Sequence, residues 1–143
     1  MKYWLLLFLG LWGSTSLAQI HIEWLQLGEV NFIQEMDLPT GRIVDRPIFD
    51  ESLQPIEDQS VKITGYILPL DVSGEIYALS RFPYEACFFC GGAGLETVMN
   101  VWFAEPDQDY KLDQVVTLQG ILRFNRDGNS LIYLLDKARE VKD

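Results

Sequence analysis

The pattern that most constrains this chain occurs twice. Val61, Ile63, Gly65, Ile67 and Pro69 alternate with Lys62, Thr64, Tyr66 and Leu68, a period of two that predicts a half-buried strand. Val116, Leu118, Gly120, Leu122 and Phe124 repeat that pattern later, with glycine at the matching point. A glycine inside a strand weakens it and marks a bulge or a tight bend at a barrel corner. Two long strands, each bent at a glycine, are what a small closed barrel requires. Nothing else recurs at that spacing, so the chain is not a tandem repeat.

Three shorter apolar runs complete the set. Ile76–Phe82 follows the turn Asp71-Val72-Ser73-Gly74 and is expected to form a hairpin with the first strand. Glu96–Phe103 is rich in β-branched and aromatic residues, which favours a strand; a helix over Leu95–Trp102 is the alternative. Leu131–Leu135 follows the turn at Asn125-Arg126-Asp127-Gly128-Asn129. Residues 105–113 fill the gap where an OB-fold carries a helix or a loop in its place. The expected fold is mainly β, a small five-stranded OB-like barrel over residues 61–143.

Ahead of the barrel, residues 19–60 read as an irregular N-terminal extension packed on it through Trp24, Phe32 and Phe49. Leu38-Pro39-Thr40-Gly41 and Arg46-Pro47 mark turns, and a short helix fits Phe49–Gln54. Residues 1–18 have the layout of a signal peptide. Lys2 precedes the apolar run Trp4–Trp12, and small residues at Ser16 and Ala18 precede a cut before Gln19. That run is shorter than the roughly 20 apolar residues of a spanning helix. The expected location is therefore periplasmic or extracellular, with no transmembrane span after cleavage. Losing residues 1–18 removes only Lys2, leaving 10 Lys and Arg against 21 Asp and Glu, a net charge of −11. Such a domain repels phosphate backbones, so nucleic acid is not an expected partner; an exported protein or a small ligand is.

The only two cysteines, Cys87 and Cys90, stand three residues apart, directly before Gly91-Gly92-Ala93-Gly94. Export favours a structural disulfide between them. A second reading is a zinc or copper site, in which Cys87 and Cys90 are two thiolates completed by Glu85, Glu96 or a second subunit. The third is thiol–disulfide exchange, and the fourth is two free thiols. A redox helix of thioredoxin type does not fit, because glycines follow immediately and no βαβ pattern surrounds them. With a single histidine, His21, hydrolytic triads have little to build on. No catalytic residue and no resident cofactor are expected. Tyr66, Tyr84 and Trp102, with Tyr77, offer stacking faces of the kind OB-folds present to ligands.

The run Pro47-x-Phe49, Val61-x-Ile63-x-Gly65-Tyr66-x-Leu68-Pro69-Leu70 and Pro83-Tyr84-x-Ala86-Cys87-x-x-Cys90 resembles a family of short exported bacterial proteins of unknown function. The resemblance spans roughly residues 24–138 and implies an OB-like fold. Some members are associated with zinc-responsive transport systems, and in those the cysteine is followed by a histidine and a proline run. This chain has Phe88-Phe89-Cys90-Gly91 there, so the resemblance matches Cys87 alone and transfers no catalytic residue. The functional expectation is an exported, non-enzymatic binding or assembly module. A metal-handling accessory protein and a thiol oxidoreductase are the alternatives.

Overall fold

The two glycine-bent stretches become the strands that close a barrel. The computed structural model describes residues 19–106 and 108–142; residues 1–18, which carry the export expectation, lie outside them. A two-residue strand β1 (Ile20–His21) and a one-turn helix α1 (Trp24–Leu27) come first. A hairpin of β2 (Val30–Asp37) and β3 (Arg42–Phe49) follows. The barrel is built from β4 (Ser60–Pro69), β5 (Tyr77–Ser80), β6 (Val98–Phe103), β7 (Gln114–Phe124) and β8 (Tyr133–Glu140). Their order is β4-β5-β6-β8-β7, and an antiparallel β4–β7 pairing returns the sheet to its start. Strands β6 and β8 run parallel while the other barrel pairs are antiparallel, giving a closed five-strand mixed barrel of OB type.

Both glycines do steric work. Gly65 sits just before β4 gains its second neighbour: it pairs with Val116 of β7, and Tyr66 then pairs with both Val115 of β7 and Ser80 of β5. A Cβ on Gly65 would lie 2.6 Å from the Ser80 carbonyl oxygen and 3.2 Å from the Trp24 ring. Gly120 faces a bulge: the β7–β8 register shifts between Gln119 and Ile121, and Lys137 takes a positive φ of 54°. A Cβ there would approach the Asp136 carbonyl oxygen to 2.8 Å. Closure of a small barrel needs such corners.

Inward side chains of all five strands, including Ile63, Leu79, Met99, Leu118 and Leu135, form the core. The N-terminal segment closes one opening. Ile22, Trp24 and Leu27 are buried, the Trp24 indole donates to the Thr64 carbonyl at 2.8 Å, and the Tyr133 hydroxyl donates to the Leu27 carbonyl at 2.6 Å. Burial pushes the Tyr133 hydroxyl pKa up, with the Glu96 charge adding to the effect. Leu53 and Ile56, on a 3-10 turn over Glu51–Ile56 capped by the Asp50 carboxylate, complete the seal.

Regular structure in the N-terminal extension exceeds the expectation. The turn at Leu38–Gly41 is present, and Gly41 has a positive φ of 66°, but its flanks are paired strands rather than irregular chain. Trp24 and Phe49 pack on the core as expected, while Phe32 stays exposed. The strand expected over Glu96–Phe103 is present as β6, and the alternative helix over Leu95–Trp102 is reduced to a 3-10 turn at Leu95–Thr97 before it.

Arg126 ties the β7–β8 loop to the chain just ahead of β4. Its guanidinium grips Glu57 in two contacts of 2.5 and 2.8 Å and lies 5.1 Å from the Phe49 ring centroid. Hydrogen bonding by Arg126 holds the Glu57 carboxyl below its ordinary value of 4.5. A depressed folded-state pKa gives stabilisation that is complete above that value and disappears as pH falls through the folded pKa. Glu57→Gln should therefore flatten the loss of stability on acidification below about pH 4.5, read from urea midpoints between about pH 6 and 3. Equal slopes for both proteins would show that the pair contributes nothing.

Candidate functional site

Strict alternation would leave the outward side of β4, β5 and β6 polar, yet Leu68, Ala78 and Val98 all point there and all are buried. The chain between β5 and β6 folds back over them. Arg81 N–H donates to the Thr97 carbonyl at the base of this excursion, and Tyr84 N–H donates to the Asp113 carboxylate at its far side. Cys87 then inserts its side chain among Leu68, Ala78 and Val98, with Phe88 and Leu131 packed alongside.

The turn that follows is built from backbone. The Cys87 carbonyl accepts from the N–H groups of Cys90 (3.2 Å) and Gly92 (3.1 Å). Gly91 adopts φ 73°, and a Cβ on Gly92 would lie 2.6 Å from the Ala86 carbonyl oxygen. These glycines serve the turn itself.

The expected disulfide is not formed: both cysteines are free thiols, Cys87 buried and Cys90 exposed. The physical reason is that Cys87 already has an apolar seat in the sheet, whereas the 3-10 turn at Phe88–Cys90 leaves Cys90 at the surface. The alternative metal shell is not assembled either. Among the described residues no group of three or more His, Cys, Asp or Glu side chains converges, and Glu85 is exposed on the turn ahead of Cys87. Glu96 instead folds back so closely on Gly94 that any Cβ there would collide with its carboxylate.

Between this turn, the β4–β5 loop and the β7–β8 loop lies a cleft of roughly 450 Å³. Leu70, Phe88, Phe89, Leu95 and Leu131 give it apolar walls, Asn100 of β6 brings an amide, and Gly128–Ser130 form the remaining side. Phe88 and Phe89 pack edge to face, 5.6 Å between centroids. The β4–β5 loop is held by Asp71, whose carboxylate accepts from the Ser73 hydroxyl and from the N–H groups of Ser73, Glu75 and Ile76. Those bonds, the Ser73 hydroxyl first, keep its pKa below the ordinary carboxylate range. Behind the β7–β8 loop stands the hairpin. Arg46 donates to the Arg126 and Asp127 carbonyls, and Gly128 (φ 72°) leaves room for Val44.

No family model and no curated protein matches the sequence. Among solved structures it is similar to a DUF3299 family protein from Pseudomonas aeruginosa, at 20% identity and a TM-score of 0.45. The match covers 63% of this chain and 66% of that one, so it spans just under two thirds of the neighbour's length. That likeness does not assign this chain to a family.

The aromatic residues expected to form a binding surface are not gathered in the cleft. Trp102 lies two residues beyond Asn100 on the same outward face of β6 and is 62% exposed. Tyr66 is half-buried one pleat from Leu68, and Tyr84 is exposed at the Asp113 end of the excursion. Sequence reading missed Phe88, Phe89, Leu95, Asn100 and Leu131. The available signal was the consecutive apolar pairs Ile67-Leu68, Ala78-Leu79 and Val98-Met99, since strands covered on both faces lose their alternation.

Proposed function

We propose that this protein is an exported, non-enzymatic binding module that seats a small, largely apolar ligand on the outer face of its barrel. The observation that carries the reading is the cleft: an apolar concavity of ligand size with a few polar groups, Asn100 of β6 facing Asn129 and Ser130 of the β7–β8 loop, to orient what enters. Its position agrees, because OB-folds present ligands to the second and third barrel strands and to the adjoining loops. In this reading the Cys87 turn is a latch that holds Phe88 and Phe89 over the sheet. The signal-like layout of residues 1–18 supports export.

The neutral dye N-phenyl-1-naphthylamine tests the cleft. It should bind one to one, its own fluorescence rising and shifting to shorter wavelength as it leaves water. Phe89→Ala and Asn100→Ala should each weaken binding by about three- to tenfold, while Val115→Ala, elsewhere on the surface, should not. Binding that ignores both cleft substitutions would refute the site. Export is tested separately by sequencing the N-terminus of the protein recovered from its native cells. Gln19 as first residue is expected, and an intact Met1 refutes export.

A further inference from the structure

The hairpin offers a second, independent surface. β2 pairs with β3 alone, without a bulge, from Val30↔Phe49 to Asp37↔Arg42. Phe32 lies opposite Pro47, which has no N–H, so that pair cannot exchange two ladder bonds. Parity then assigns the ladder bonds to Asn31, Ile33, Glu35 and Asp37. The N–H and C=O groups of Phe32, Gln34 and Met36 point away from β3, along the free edge of β2. Among the described residues no turn, loop or side-chain hydrogen bond reaches those groups. Native edges are normally protected by Lys, Pro or a bulge, and this one has none of them. Glu35 and Asp37 are turned to Arg46 of their own hairpin, at 2.8 and 3.8 Å. On the face that carries Gln34 the apolar side chains are open: Phe32 is 38% and Met36 64% exposed, and Met36's neighbour across the hairpin, Ile43, is 68% exposed.

We infer that β2 pairs antiparallel with β2 of a second copy of this chain, about a two-fold axis at Gln34, joining two hairpins into one four-stranded sheet. Complementarity selects this partner and this register. Gln34 meets Gln34 of the second copy, and Phe32 meets Met36, each pair exchanging two backbone bonds, so every free group on the edge is satisfied. The two strands are acidic only toward one end. Antiparallel pairing therefore sets Asp37 against Asn31 and Glu35 against Ile33, with no like charges opposed. An apolar row, Pro47–Phe32–Met36–Ile43, then crosses the new sheet twice by symmetry. The interface is isologous and closes as a dimer.

Sedimentation of the chain purified from its native source should show a monomer–dimer equilibrium that shifts toward dimer as salt is raised, because each chain carries a net negative charge. Gln34→Pro removes an outward N–H and no ladder bond within the hairpin, so it should weaken dimerisation at least about tenfold and leave the monomer folded. Register is read by Gln34→Cys in a Cys90→Ser background. An antiparallel hydrogen-bonded pair holds its Cα atoms about 5.5 Å apart, within disulfide reach, so this variant should cross-link with itself under oxidation while Glu35→Cys should not. A monomer up to about 1 mM, or a dimer indifferent to Gln34→Pro, overturns the proposal. Preferential cross-linking through Glu35→Cys overturns the register.

Discussion

Replacing Trp24 with Ala is expected to lower the unfolding free energy by about 3–5 kcal/mol, the range for truncating a buried aromatic side chain. The indole covers Gly65 at the point where β4 takes on β5 as a second neighbour beside β7, and its N–H satisfies the Thr64 carbonyl. Removal opens a void at the barrel corner and leaves that carbonyl without its donor, so two costs fall on one position. The neighbouring Leu25 is the control. It is exposed, and Leu25→Ala should stay within about 0.5 kcal/mol of the parent. Urea denaturation of the three proteins decides the matter. A Trp24→Ala loss below about 1 kcal/mol would mean that the N-terminal turn is an accessory and the barrel is closed without it.

The second large effect is an asymmetry between the cysteines. In a disulfide, losing either partner costs the same. Here Cys87→Ser should cost about 1–3 kcal/mol, because a hydroxyl would replace a thiol in the apolar seat formed by Leu68, Ala78 and Val98. Cys90→Ser should change stability by less than about 0.5 kcal/mol, since its side chain is exposed. Cys87→Ala should be tolerated better than Cys87→Ser despite being smaller, because it brings no polar group into the seat. Equal losses for the two serine variants, recovered in neither single variant by reductant, would restore the disulfide reading and displace the buried-thiol one.

The barrel was legible because its two longest strands alternate cleanly and carry glycine where the sheet has to bend; Gly65 and Gly120 lack Cβ atoms for the reason the pattern suggested. The β2–β3 hairpin was not legible. Its apolar residues come in adjacent groups, Phe32-Ile33 and Pro47-Ile48-Phe49, so neither flank of the Leu38–Gly41 turn shows a period of two. The site was half legible. Its place in the chain was marked by the cysteines and glycines, but spacing says nothing about what a thiol will touch. Cys87 is decided by three side chains from three strands, a tertiary fact, and the turn's glycines are explained by backbone contacts rather than by a ligand.

The pairing of β4 with β7 also governs how the molecule can come into being. Val61 lies beside Gly120 and Ser60 beside Ile121, so the barrel interior stays open until the C-terminal third of the chain has been made. A nascent chain ending before Gln114 holds the seal residues Trp24, Leu53 and Ile56 but has nothing for them to seal. Contacts so distant in sequence make folding slow, in the millisecond-to-second range typical of all-β domains. For this chain, folding is an event of completion: β1 to β5 can find partners among themselves, but synthesis has to reach β7 and β8 before the sheet can close on itself.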